Sequence, residues 1–364
     1  MIRAIEIEYL RGISKGRIEG LTQVNILLGR NGSGKSTVLE AIYIASACID
    51  IKDPIYGMQK LDYVINRRGG SGNWDSAKDV LWFSMNISKP ISIKLNIDGY
   101  WRRFVLIHRL GIPCTLLELD DRELAELGIS RYYEGYRYVC ICRRYLFNEY
   151  GSFINLGDEL LHVKSLGKPI ELLQNVIFVD SRAITRLRTI EKSCWSKVVA
   201  KRLDKKIVGL VRKEFEPDAE GLTYIPLGNE YVLALQLSKT SVRIDDLGDG
   251  AKIAIITGLM LLAYKPKILL MEEPENHMHP AGLETYMRFV LEIAKEIGMQ
   301  VLISSHSIEL VKIVRKICSD LGLELSMHFL ERSEDGELST RRLSAIDSEV
   351  LEKLGLDPRF LYVV

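Results

Sequence analysis

Residues 29–37 read Gly29-Arg30-Asn31-Gly32-Ser33-Gly34-Lys35-Ser36-Thr37, and this stretch decides the fold. It fits the pattern GxxxxGK[ST], whose chemistry follows from residue type. Glycines let the backbone curl so that successive N–H groups face an anion, where a side chain would intrude. Lys35 adds a point charge suited to β- and γ-phosphates, and the Ser36 hydroxyl can ligate Mg²⁺. The apolar run Val24-Asn25-Ile26-Leu27-Leu28 before the loop reads as a strand. Behind it Leu39, Ile42 and Tyr43 recur at helical spacing and predict a helix from Ser36 to about Ile49. That helix directs its positive end at the same anion. Strand, glycine loop and helix together make residues 29–37 the expected cradle of a nucleoside triphosphate.

Such a cradle needs a carboxylate for the metal and a group that orients the attacking water. Ile268-Leu269-Leu270-Met271-Glu272-Glu273-Pro274-Glu275-Asn276-His277 supplies both. A buried apolar strand ending in acids places Glu272 beside the phosphates as metal ligand, with Glu273 turned differently to polarise water. Further along, Val301-Leu302-Ile303-Ser304-Ser305-His306 is another apolar strand ending in a polar cluster, and His306 is a candidate to reach the γ-phosphate or Glu273.

Working outward, the chain has 364 residues, of which 47% are hydrophobic and 27% charged, and a net charge of +1. This is globular composition, with no global basic excess to advertise nucleic acid. The charged start MIRAIEIEYLRG is no secretory signal. The longest apolar run, Ile253 to Tyr264, is shorter than the roughly 18 residues a membrane span needs. A soluble, cytoplasmic protein without membrane association is expected, and scarce Asn and Gln with abundant Ile lean towards a thermophile. The six cysteines include no CxxC pair, which argues against a zinc ribbon or a disulfide framework. Cys140 and Cys142, on one face of an expected strand Tyr138–Cys142, read as small buried hydrophobes.

Strands are expected at Ala4–Tyr9 and Val24–Leu28, joined by Gly- and Lys-containing turns, and a hairpin at Ile91–Ile97 and Tyr100–His108 around Asp98-Gly99. Between Arg182 and Lys213 a near-helical apolar period carries eleven Lys/Arg against only Glu191 and Asp204. Alternating strands and helices at both ends, with hairpins between, indicate an α/β protein: a P-loop core with mixed sheet, an antiparallel β-subdomain and an inserted helical subdomain. The expected units are residues 1–180 with the P-loop, a basic helical insertion over 181–240, a second ATPase lobe over 241–325, and a terminal β-hairpin with a short helix over 326–364.

These motifs resemble the ABC-type ATPase heads of the SMC, RecF and OLD (overcoming lysogenization defect) group. The opening IRAIEIEYLRGI is similar to that group's first strand, and Glu272 to Pro280 (EEPENHMHP) is similar to the form seen in OLD-like ATPases, whereas transporter subunits usually carry Asp-Glu-Pro-Thr there. The resemblance implies Mg²⁺-dependent ATP hydrolysis with Glu273, His306 and Lys35 as catalytic groups and Ser36 and Glu272 as metal ligands. It also implies a signature loop contacting the γ-phosphate of an opposite subunit. The matching place is Asp245 to Lys252, where Gly248, Asp249 and Gly250 open a helix and Gly248 stands in place of the usual serine. A glutamine for the family's Q-loop stays open between Gln59 and Gln174. The implied mechanism is a homodimer closed on two ATP molecules. Double-stranded DNA is the expected partner, through the basic 182–213 stretch. The alternative is an ATP-sensing subunit of a two-component defence system working with a separately encoded nuclease. A transporter motor is the third reading, and the EEPENHMHP string argues against it.

Overall fold

The computed structural model of the chain describes residues 1–69, 71–127, 135–157 and 170–343. In chain order its strands are β1 (Ile2–Leu10), β2 (Ile13–Glu19), β3 (Val24–Leu28), β4 (Ile91–Ile97), β5 (Tyr100–Leu106), β6 (Leu116–Glu118), β7 (Tyr136–Cys140), β8 (Tyr145–Asn148), β9 (Phe153–Asn155), β10 (Val176–Val179), β11 (Ala219–Leu227), β12 (Glu230–Leu237), β13 (Ser241–Arg243), β14 (Ile268–Glu272), β15 (Gln300–Ser304), β16 (Leu325–Arg332) and β17 (Glu337–Leu343). The longer helices are α1 (Lys35–Ser46), α2 (Lys60–Asn66), α3 (Leu187–Val199), α4 (Asp204–Glu214), α5 (Asp249–Tyr264), α6 (Pro280–Ile297) and α7 (Ile308–Leu321).

Fourteen of these strands form one sheet, in the order β10-β14-β15-β3-β16-β17-β2-β1-β4-β5-β6-β7-β8-β9. Its first five members run parallel. β3, β10 and β15 are buried at every position, the continuous burial that parallel strands acquire when helices cover both faces. Two buried amides lock this block. Asn25 in β3 donates to Thr22 O (2.8 Å) and Val301 O (3.0 Å), while its Oδ1 accepts from Thr22 N and Ser326 Oγ. Gln300, at the start of β15, accepts from Ile2 N (2.9 Å) and donates to the Ile2 and Thr22 carbonyls (both 2.8 Å). With their capacity met, these side chains tie β1, β3 and β15 into one register at little desolvation cost.

From β2 to β9 every adjacent pair is antiparallel. The β4–β5 turn has Asp98 at φ 48° and Gly99 at φ 93°, the double positive φ of a tight hairpin that asparagine, aspartate and glycine accept. α3 and α4 pack on α5, and most of α5 is buried.

Several expectations need correction. Ile13–Glu19, read as turn between two strands, is the strand β2, with Ile13, Gly16 and Ile18 buried. Within residues 181–240, expected as a helical insertion, α3 and α4 extend to Glu214, and residues 219–243 form a separate three-stranded antiparallel sheet. Cys142 is not in a strand: β7 ends at Cys140, and a short 3₁₀ turn over Ile141–Arg143 follows. Nor are Cys140 and Cys142 merely small hydrophobes, because Cys140 is joined to Cys114 as a disulfide and Cys142 is exposed. β16 of the terminal hairpin pairs directly with β3 and so belongs to the main sheet. The short helix expected after it lies outside the described residues.

Candidate functional site

Strand register assembles the site. Glu272 pairs with Ser304, and Ser304 with Leu27, so the segments following β14, β15 and β3 leave the sheet at one level. The carboxyl ends of parallel strands are where such sheets bind ligands. A cavity of about 260 Å³ opens there, lined by Gly12, Asn31 to Thr37, Arg68, Glu273, His306 and Arg332.

The loop wraps as its glycines allow. Gly29 has φ 142°, and a Cβ on it would lie 2.3 Å from the Leu330 carbonyl oxygen. Gly34, at φ 98°, precedes α1, whose start has neither a side-chain cap nor an acid in its first turn. The free N–H groups of that turn are therefore open to an anion. The Ser33 hydroxyl is buried without a protein partner, an orphan that a phosphate oxygen would satisfy. Lys35 Nζ donates to the Gly29 and Arg30 carbonyls (2.9 Å each) and lies 3.5 Å from His306 Nδ1. Burial pushes its ammonium down to about 8, against the pull of Glu273, Glu272 and Glu275; a polyphosphate would strengthen that pull.

Glu273 sits at φ 44°, ψ 57°, left-handed backbone that costs a non-glycine residue about 1–3 kcal/mol. Its N–H donates to Ser304 O at 2.9 Å, which holds that turn. One carboxylate oxygen meets His306 Nε2 at 2.8 Å and the other accepts from Asn276 Nδ2 at 2.8 Å. The His306 bond is the main cause that draws this carboxyl down to about 2, ahead of Asn276 and Lys35 and against burial. Glu275 in turn accepts from the Ser305 hydroxyl (2.5 Å) and the His306 N–H (3.1 Å), fixing the loop that carries the imidazole.

Glu272 is ion-paired with Arg67 through its Oε2. Arg67 also holds Glu40 (2.6 Å) and Asp180 (3.1 Å) and is itself buried. Burial opposes its charge, and Glu40, Glu272 and Asp180 together overcome that and keep it protonated. Arg68 reaches Glu40 at 2.8 Å and the Thr37 hydroxyl at 3.1 Å. Ser36 and Glu272 are hard oxygen donors of the kind Mg²⁺ takes, with remaining positions suited to water and phosphate oxygens; a metal there would share the carboxylate with the Arg67 guanidinium.

The model of the family described as "AAA domain, putative AbiEii toxin, Type IV TA system" matches residues 156–312. An "ATP/GTP phosphatase" of Helicobacter pylori is 17% identical over 352 residues, 87% of this chain and 88% of that protein. An "OLD nuclease" of Thermus scotoductus is 27% identical over 165 residues, 41% of this chain but 31% of that protein. Among solved structures, the SMC head bound to the C-terminal winged-helix domain of ScpA has the same fold, with a TM-score of 0.53 at 12% identity over 96% of this chain and 99% of that one. This chain has the P-loop fold of SMC heads and is similar to ATPases of the ABC/SMC-like group.

The residues expected from sequence are not all brought together: Glu272 does not line the cavity and is paired with Arg67. Asn31 to Thr37, Glu273 and His306 share the cavity; Gly29 and Arg30 lie behind it, holding Lys35 by their carbonyls. Gly248 and Asp249, by contrast, are exposed at the start of α5 and Gly250 half-buried, and none lines the cavity of its own chain. Asp245 pairs with Arg188 and Asp246 with Arg243 beside them. Neither Gln59 nor Gln174 lines the cavity; from the end of α2, Arg67 instead reaches Glu272. Sequence reading missed Arg67, Arg68 and Arg332. The only local signal was the glycine-rich run NRRGGSGN, in which Arg67 and Arg68 follow Asn66.

Proposed function

We propose that this ATPase hydrolyses ATP with Mg²⁺ in the cytoplasm, that two chains close on two nucleotides, and that the closed pair engages double-stranded DNA. The observation that carries the reading is Glu273, held by His306 and Asn276 at the P-loop cavity beside Lys35. In this reading the loop and the first turn of α1 donate N–H groups to the β- and γ-phosphates. Lys35 exchanges the Gly29 and Arg30 carbonyls for phosphate oxygens, and Ser33 gains the partner it lacks. Ser36 and Glu272 would hold Mg²⁺, whose charge would neutralise that on the phosphates. The ionised Glu273 accepts a hydrogen bond from the attacking water and orients it towards the γ-phosphorus, while His306 fixes that carboxylate through Nε2. The start of α5, Gly248 to Gly250, meets the γ-phosphate bound by the other chain through its free N–H groups. Losing that phosphate removes the shared ligand, and the pair separates.

A Glu273→Gln variant tests this with an ATPase assay and size-exclusion chromatography in ATP. The expected result is retained nucleotide binding, turnover lowered about 10²–10⁴-fold, and a dimer that persists. Turnover at the native rate would overturn the reading. A second reading, an ATP-sensing subunit working with a separately encoded nuclease, draws on the likeness to OLD nuclease; co-purification of a nuclease that cuts DNA only when this ATPase is present would favour it.

A further inference from the structure

Far from the P-loop cavity, three cysteines converge. The Sγ atoms of Cys114, Cys140 and Cys142 all lie within 4.8 Å of one another. Cys114 and Cys140 are joined as a disulfide, and the Cys142 sulphur lies 3.6 Å from Cys114 and 3.5 Å from Cys140. A disulfide needs only two sulphurs and gives no reason for the third. That third sulphur is delivered by a specific backbone reversal: β7 stops at Cys140, and the chain turns through Ile141–Arg143 to Arg144 at φ 56°. Had the strand continued, Cys142 would lie two residues further along the same face, with its sulphur well out of contact.

The surroundings suit a soft cation. Val105, Leu116 and Phe147 enclose the two bonded cysteines in a small apolar core of their own, while Cys142 stands at its exposed rim. In a tetrahedral thiolate site with metal–sulphur bonds of about 2.3 Å, neighbouring sulphurs are about 3.8 Å apart. Both contacts of Cys142 are within a few tenths of that edge; the third edge is taken by the sulphur–sulphur bond. We propose that the reduced chain binds a thiophilic divalent cation, zinc by its chemistry, through the sulphurs of Cys114, Cys140 and Cys142, with the fourth position open to water at the exposed rim. A dithiol reductant passes two electrons to the Cys114–Cys140 bond, leaving two thiols, and is itself closed to a cyclic disulfide. The cation then displaces the three thiol protons. Disulfide and metal are thus alternative states of one cluster.

The site has a mechanical position. Thr115, next to Cys114, donates its hydroxyl to the Ile44 carbonyl at 2.7 Å, in the last turn of the helix that follows the P-loop. Ile51, just beyond that helix, packs on the same apolar core. An ion on the three sulphurs would pin the connections around β6, β7 and β8 against α1 without touching the cavity.

The test uses the full chain, reduced with dithiothreitol, freed of reductant without air and titrated with Co²⁺. Sulphur-to-cobalt charge-transfer absorption that saturates at one ion per chain, and that Zn²⁺ then abolishes, is the expected result. The P-loop site offers only oxygen and nitrogen donors and cannot produce that band. Cys142→Ser, which leaves the Cys114–Cys140 pair intact for folding, should weaken binding by more than tenfold. Cys318→Ser, a buried cysteine elsewhere, should not alter it. Absence of the band in the reduced native chain, or unchanged affinity in Cys142→Ser, overturns the proposal and leaves a disulfide with a bystander thiol.

Discussion

Arg67 shows what one side chain does for the site. Its side chain is 1% exposed and contacts three carboxylates, of which Glu40 is 0% and Asp180 2% exposed. A buried ion cluster is weak evidence for net stability, but breaking one is costly because the remaining charges keep their desolvation penalty. We expect Arg67→Met to destabilise the chain by about 3–5 kcal/mol, seen as a lower urea midpoint at unchanged slope. Adding Asp180→Asn should return part of that loss, and strict additivity in the double-mutant cycle would refute the coupling. The same guanidinium is bonded to Glu272, so the surviving enzyme should also show weaker Mg²⁺ dependence of nucleotide binding. Glu273 and His306 were readable because each follows directly on an apolar strand. Arg67 was not, since it stands 205 residues from its partner Glu272 and only packing joins them.

At the scale of elements, β16 illustrates how burial tunes a titration. His328 on this strand is 1% exposed and shares a hydrogen bond with Ser326 Oγ at 3.1 Å. Burial, reinforced by Arg342, pushes its imidazole down to about 4. The unfolded chain takes up this proton near pH 6.5. Between those two values the unfolded state therefore binds more protons than the native one, and stability falls as the pH drops. The contribution is complete above the unfolded value and fades by about 3 kcal/mol towards pH 4. Urea midpoints of native and His328→Gln protein, compared at neutral pH and near pH 4.5, should converge in acid; parallel curves would rule the account out. β2 shows the opposite limit of sequence reading. Gly16 and the charged Lys15 and Arg17 disguise it as turn, yet a Cβ on Gly16 would come within 2.5 Å of Leu338 Cβ, so the glycine is there to let β17 approach.

Over the whole molecule a net charge of +1 conceals an uneven surface. α3, α4 and the turn between them carry exposed Lys192, Lys201, Arg202, Lys205 and Lys213, while other cations of the stretch are engaged: Arg188 with Asp245, Lys206 with Glu296, and Lys197 over the Tyr264 ring at 3.6 Å. Arg188 lies beside the start of α5, so this face adjoins the loop expected to meet the second subunit. If the closed pair binds duplex DNA here, the combined change Lys201→Glu, Arg202→Glu and Lys205→Glu should weaken binding and lower the salt slope by about one for each DNA phosphate that the variant no longer neutralises. Fluorescence anisotropy with ATP and the Glu273→Gln background reads both. An unchanged slope would move the DNA surface elsewhere. No helix among the described residues is long and apolar enough to cross a membrane.

What the linear chain determined was whatever depends on neighbours in sequence. A glycine loop between a strand and a helix must present N–H groups to an anion, and acids directly after an apolar strand must emerge at its carboxyl end. Those two rules yielded the α/β class, the phosphate cradle and the acid pair. Only the tertiary structure could decide how parallel strands far apart in sequence line up side by side. That alignment brings Glu272 within reach of Arg67, sets His306 against Glu273 and seats β16 beside the P-loop strand, while antiparallel pairing of β6 with β7 draws Cys114 to Cys140. Register across a sheet is set by the packing of side chains on both its faces, and no local pattern encodes it.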